Sequence, residues 1–132
     1  MADTPVYVLD TFALLAYLRD EPSADRIEKA LADAKEGKNR LLLSIINLGE
    51  ILYIVERRGG VAKVQDTLAL IRQLPIEILA ADERSVFDAA HVKASHALSY
   101  ANAFAVAAAV QEGAVILTGD PEFASVESIA NV

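Results

Sequence analysis

Four polar residues stand in apolar surroundings, where polar groups are costly, and three of them are acids. Asp10 closes the run Val6-Tyr7-Val8-Leu9, and Asp120 follows Val115-Ile116-Leu117-Thr118-Gly119. Glu50 falls within a helical pattern, with Ile46 and Ile54 one turn to either side and Tyr53 at i+3. Asn102 lies in the most apolar helical stretch, with Leu98, Ala105 and Val106 at i−4, i+3 and i+4. A carboxylate on an apolar face needs a cation or several hydrogen bonds. Oxygen-only ligands select hard ions such as Mg²⁺ or Mn²⁺, which activate water and neutralise phosphate charge. Collected in one crevice, Asp10, Glu50 and Asp120 point to metal-dependent phosphodiester hydrolysis.

Each residue also has a purely structural reading. Asp10 is a good N-cap for a helix starting at Thr11, and Asp120-Pro121-Glu122 has the order of cap, first-turn proline and acidic first turn. Glu50 could pair with Arg57 at i+7. Asn102 would be the third residue of a turn capped by Ser99. Glu50 is the most informative of the four, because capping cannot explain an acid in mid-helix.

Other chemistries are excluded or weak. With no cysteine there is no disulfide, thiolate ligand or thiol nucleophile. No Gly-x-Ser-x-Gly elbow occurs, and Gly59-Gly60 lacks the spacing of a phosphate loop. His91 and His96 are five apart and do not share a helix face well enough to ligate one metal. The net charge of −7 argues against broad electrostatic attachment to nucleic acid. A local patch remains open, with Arg57, Arg58 and Lys63 close together and Arg72 downstream.

The elements that must position these residues are marked by punctuation. Val6–Leu9, Leu41–Leu43, Ile76–Leu79 and Val115–Leu117 read as short buried strands. Helical periodicity runs over about 11–19, 24–36, 45–57, 61–74, 83–97 and 100–111. Ser23, Ser44, Asp82 and Ser99 are suited to start helices, and Gly37, Gly59 and Gly113 to end them. Strands without polar alternation, joined through helices, predict an α/β fold of three layers around a mainly parallel sheet. No linker or repeat divides residues 1–132, so one domain is expected. In such sheets ligands bind beyond the C-terminal strand ends, where Asp10, Thr11, Thr118 and Asp120 fall. The longest apolar run, Ala103–Val110, is far short of a membrane span, no signal peptide is apparent, and a cytoplasmic protein is expected. The segments near 24–36 and 45–74 carry more apolar surface than one sheet face covers. Tyr53 and Ile54 are candidates for a contact between copies.

Four segments together resemble the PIN-domain family, and within it the VapC-type toxins of bacterial toxin–antitoxin pairs. They are Val8-Leu9-Asp10-Thr11-Phe12-Ala13-Leu14-Leu15, Ile46-Asn47-Leu48-Gly49-Glu50-Ile51, Leu98-Ser99-Tyr100-Ala101-Asn102-Ala103-Phe104-Ala105 and Leu117-Thr118-Gly119-Asp120-Pro121-Glu122-Phe123. The resemblance spans nearly the whole chain. It implies a three-layer α/β/α domain with a parallel sheet of four to five strands and a Mg²⁺- or Mn²⁺-dependent ribonuclease acting on RNA. It further implies homodimers and inhibition by a VapB-type antitoxin. Carried over by position, Asp10, Glu50 and Asp120 form the metal site, with Thr11 and Thr118 as hydroxyl neighbours. Asn102 departs from the pattern, since the family usually has an acid there. Asparagine keeps an acceptor oxygen and loses the charge, which weakens or abolishes catalysis on this reading. The alternative is a catalytically degenerate fold that binds RNA or a protein partner. A receiver or haloacid-dehalogenase domain also places an Asp after its first strand. The residues Phe12 and Thr118-Gly119 do not match the further acid or lysine those families need.

Overall fold

The computed structural model describes residues 4–126, and the remaining residues lie outside the account that follows. Four strands, β1 (Val6–Leu9), β2 (Arg40–Ser44), β3 (Ile76–Leu79) and β4 (Val115–Leu117), form one sheet in the order β3-β2-β1-β4. Every pairing is parallel. The four strands match the sequence expectation, with β2 one residue longer at each end. No fifth strand occurs among the described residues.

Five helices connect them: α1 (Thr11–Leu18), α2 (Asp25–Lys35), α3 (Ile45–Gln73), α4 (Glu83–Ser95) and α5 (Tyr100–Glu112). Alternation along the strands sorts the core into two layers. Val8, Leu42 and Ile116 stand side by side in register and pack with α4 and α5. Leu9, Leu41, Leu43 and Leu117 point the other way, towards α1, α2 and α3. A sheet covered on both faces explains strands with no polar alternation. The three-layer reading is therefore correct.

Local chemistry sets the helix limits. Ser44, Asp82 and Ser99 each cap a helix by accepting a backbone N–H. Ser23 does not. It lies in a short 3-10 turn, Pro22–Ala24, and α2 starts behind Ala24 with no side-chain cap. α2 buries Ile27, Ala30 and Leu31, the i, i+3, i+4 stripe of a one-sided helix. The expected division of 45–74 into two helices is present as a break at Gly60, whose φ of 79° lies in the region favouring glycine. The stop thus falls one residue later than Gly59. Gly113 ends α5 in the left-handed conformation. α5 is buried continuously over residues 102–109, and its alanines let it lie close to the sheet.

The chain order fixes where a site can form. From β1 the sheet grows through β2 to β3, then α4 and α5 carry the chain back to β4 on the other side of β1. The chain leaves β1 towards β2 on one side and enters β4 on the other, so the strand order switches direction between β1 and β4. Their C-terminal ends therefore bound an open crevice rather than a covered one. No described helix is long and apolar enough to cross a membrane.

Candidate active site

Asp10 occupies the end of β1 with no exposed surface. One carboxylate oxygen accepts the Ala13 N–H at 2.8 Å, so the capping role expected of it is real. The other oxygen accepts the hydroxyl of Thr118, which follows β4. Burial pushes the Asp10 carboxyl up from 3.8 to about 6. The bonds from Thr118 and Ala13 act in the opposite sense, and the charge of Asp120 adds to the rise. No ion pair to Asp10 exists among the described residues, so this desolvated acid lacks a cation.

Thr118 is the joint between two acids. Its oxygen also accepts the Asp120 N–H at 2.8 Å, which fixes Asp120 just beyond the strand end. Asp120 Oδ1 accepts the Glu122 N–H at 3.0 Å, the expected cap of the turn Pro121–Val126. Its Oδ2 accepts the side-chain amide of Asn102 at 3.1 Å. The same Asn102 nitrogen donates to Glu122 Oε2 at 3.1 Å, and Glu122 Oε1 accepts the Ser99 N–H at 2.7 Å. Asn102 is buried, and its own backbone N–H is held by Ser99 Oγ at 3.1 Å. Asn102 belongs to the first turn of α5, and its side chain also reaches Asp120 and Glu122. It meets them with its N–H₂ group, as a donor between two carboxylates.

Glu50 is half-buried on α3, and the Tyr53 hydroxyl donates to its Oε2 at 3.4 Å. Arg57 makes no ion pair with it. The guanidinium instead lies 4.9 Å from the centre of the Tyr53 ring, so the tyrosine stands between acid and cation. Among the described residues no hydrogen bond joins Glu50 to Asp10 or Asp120. Thr11 is likewise turned away from the acids. Its hydroxyl accepts the side-chain amide of Asn47 at 3.2 Å and donates to the Asn47 carbonyl at 3.4 Å, tying α1 to α3.

Sequence reasoning assigned no role to Asn47 or Glu122. Asn47 is fully buried, donates also to the Ala101 carbonyl at 3.3 Å, and leaves its side-chain oxygen buried without a donor. Its signal was an asparagine in the apolar run Ile45-Ile46-Asn47-Leu48, one turn before Glu50. Glu122 read as an ordinary first-turn acid, and only the fold brings it to Asn102.

The donor chemistry suits a hard divalent ion, because Asp10, Glu50, Asp120 and Glu122 offer oxygen alone and Asp10 is desolvated with no cation beside it. The side chains do not yet converge: among the described residues no three His, Asp or Glu groups stand within reach of one ion. Each acid of the group is satisfied by hydrogen-bond donors. In front of them Thr118 and Asp120 line a crevice of about 500 Å³ that continues along α1. Arg58 and Lys63 of the basic patch line a neighbouring recess instead.

No curated protein sequence matches this chain. Solved structures of similar fold do. The chain superposes on VapBC2 from Rickettsia felis, bound to a DNA fragment from its promoter, with a TM-score of 0.73 at 19% identity, covering 96% of this chain and 97% of that one. DNA-bound VapBC from Salmonella typhimurium gives 0.76 at 17%, covering 97% of each. VapC20 of Mycobacterium tuberculosis, a toxin that cleaves the sarcin–ricin loop, gives 0.68 at 16%, covering 96% and 98%. The PIN domain family model matches residues 7–129, nearly the entire chain. With the sheet order, the buried acid after β1 and the second acid after β4 all in place, the chain belongs to the PIN domain family.

Proposed function

We propose that this chain is a metal-dependent endoribonuclease, the toxin of a VapBC-type pair, acting in the cytoplasm and held in check by a VapB-type antitoxin. The observation that carries this reading is the meeting of Asp10 and Asp120 across the Thr118 hydroxyl at the β1/β4 crevice. Toxin–antitoxin complexes among the structures of similar fold support the partner.

Asp10, Glu50 and Asp120 would hold Mg²⁺ or Mn²⁺, with Thr118 orienting the first and last of these. Such an ion supplies an activated water and neutralises charge at the scissile phosphate. The chain's own contribution is placement. Ala13 N–H and Thr118 fix the Asp10 carboxylate, and Asn102 draws Asp120 and Glu122 together where two bare carboxylates would repel. The N-termini of α1 and α5 lie beside the acids, and the helix dipoles favour anionic groups there. The exposed Tyr53 and half-buried Ile54 support an apolar contact between two copies.

One observation favours the degenerate alternative, a PIN fold that binds RNA or a protein without cutting: Asn102 supplies a donor where an acid would add charge. The two readings part in one experiment. Purified chain with Mn²⁺ or Mg²⁺ should cleave single-stranded RNA, EDTA should stop it, and Glu50→Gln should lower both cleavage and Mn²⁺ affinity. RNA or antitoxin binding with no metal-dependent cleavage establishes the binding module. Unchanged Mn²⁺ affinity in Glu50→Gln removes Glu50 from the ligand set.

A further inference from the structure

Phe12 is the second residue of α1, directly after the buried Asp10-Thr11 pair, and 52% of its surface is exposed. It lines the crevice that Thr118 and Asp120 also line, together with Arg19 at the end of α1 and Arg26 in the first turn of α2. Neither arginine makes an ion pair among the described residues, although Glu21 lines the same crevice. Arg19 also borders the neighbouring recess, which Arg58, Lys63 and Asp66 line. An exposed ring and two guanidinium groups free of ion pairs among the described residues thus face one crevice beside the acids.

From this arrangement we propose that the crevice is a nucleotide subsite for single-stranded RNA, in which Phe12 stacks a base beside the cleavage site and Arg19 and Arg26 hold the adjoining phosphates. The inference rests on the ribonuclease reading and adds to it the residues that seat the substrate. An unstacked base offers a π-face of any sequence to an exposed ring, and alanine substitution at such platforms weakens binding about tenfold or more. A paired base in a duplex is already stacked and cannot use the ring. Charge complementarity favours a phosphate chain over a neutral or basic protein segment, because a guanidinium forks onto phosphate oxygens in bidentate fashion. The crevice volume of about 500 Å³ falls in the range of sites that enclose small ligands, roughly 300–1,000 Å³, so it suits one or two nucleotides and not a helix. With its overall charge the protein would repel RNA at long range, which makes the local arginines necessary for any close approach.

The test is fluorescence anisotropy of a labelled single-stranded 12-nucleotide RNA of mixed sequence, in EDTA so that no cleavage occurs, across a salt series. Phe12→Ala should weaken binding about tenfold while Phe12→Trp restores it. The double variant Arg19→Gln/Arg26→Gln should flatten the slope of log affinity against log salt by about 1.4, or about 0.7 for each lost single-strand phosphate contact. A blunt duplex of the same sequence should be insensitive to Phe12→Ala. Circular dichroism melts of each variant guard against misfolding, and Phe12 is exposed enough for its removal to be mild. If the parent chain binds the RNA and all variants bind it equally with the same salt slope, the subsite is overturned, the crevice is left to a protein occupant, and the ribonuclease reading stands. If the parent chain neither binds nor cleaves RNA, the ribonuclease reading falls and takes the subsite with it.

Discussion

The side-chain amide of Asn102 donates to Asp120 Oδ2 at 3.1 Å, so position 102 holds the acid after β4 by a neutral N–H. The same nitrogen reaches Glu122, and one amide thereby bridges two carboxylates. Replacement by an acid would remove both bonds and add a third negative charge. Asn102→Asp should therefore lower thermal stability in EDTA by about 1–3 kcal/mol, the usual cost of stranding buried acceptors. With Mn²⁺ present the sign reverses. The added charge should tighten Mn²⁺ binding roughly tenfold to a hundredfold and speed RNA cleavage. Calorimetric titration and melts of both forms check this. Equal Mn²⁺ affinity would place Asn102 outside the metal site.

Asp10 makes a pH prediction. Its carboxyl is raised from 3.8 to about 6, so the folded chain holds that proton more tightly than the unfolded chain does. Its contribution to stability is complete below about pH 3.8, declines as pH rises, and is lost above about pH 6. The native-state penalty of the ionised form is about 3 kcal/mol. Asp10→Asn keeps an acceptor for Ala13 and carries no charge. It should be more stable than the parent by about 1–3 kcal/mol at pH 7.5 in EDTA, with the difference shrinking towards pH 4. Urea unfolding of both chains across this range measures it, and a pH-independent difference refutes it. Because Mn²⁺ must displace the Asp10 proton, its affinity for the parent should fall below about pH 6.

Thr118 serves both acids through a single oxygen. Thr118→Val keeps the shape, removes the donor to Asp10 and strands the Asp120 N–H. Stability should fall by about 1–3 kcal/mol, and cleavage should fall further than stability alone accounts for. Thr118→Ser should recover most of both. Denaturant midpoints and cleavage rates at a temperature where all three chains are folded provide the comparison.

Tyr53 is exposed and carries the Arg57 guanidinium on its ring. If two copies meet through this part of α3, sedimentation velocity should show a dimer at micromolar concentration. Tyr53→Glu should dissociate it without unfolding the chain. A monomer in the parent protein contradicts the contact.

Strand limits and most helix ends were legible because their signals are local. A branched apolar run, an N-cap serine or aspartate and a glycine with positive φ each act within a few residues. Ser23 misled for the same reason. It is a good cap in isolation, but Pro22 opens a 3-10 turn that places it inside the turn and leaves Ala24 at the helix start. The acids Asp10 and Asp120 were legible because the parallel-sheet rule names the strand ends. What each polar group faces was not. Glu122 reaches Asn102 across 20 residues, and Thr11 turns to Asn47 across 36, and no local pattern encodes either direction. Glu50 could be singled out as unusual, yet its bond to Tyr53 depended on rotamers that spacing does not determine.

The crossover to β4 also bears on the order in which the protein is made. Asp10 and Thr118 are separated by 108 residues, and the strand delivering the second half of the site is the last of the described strands. Domains form as units during synthesis, beginning from the N-terminal end. A nascent chain that has emerged as far as α4 can pair β1, β2 and β3, but its β1 edge is still bare and Asp120 is still in the ribosome. On the nuclease reading proposed above, a chain that has emerged only as far as α4 carries half of the site and cannot yet act on RNA. On that reading the two acids meet only once β4 has paired with β1.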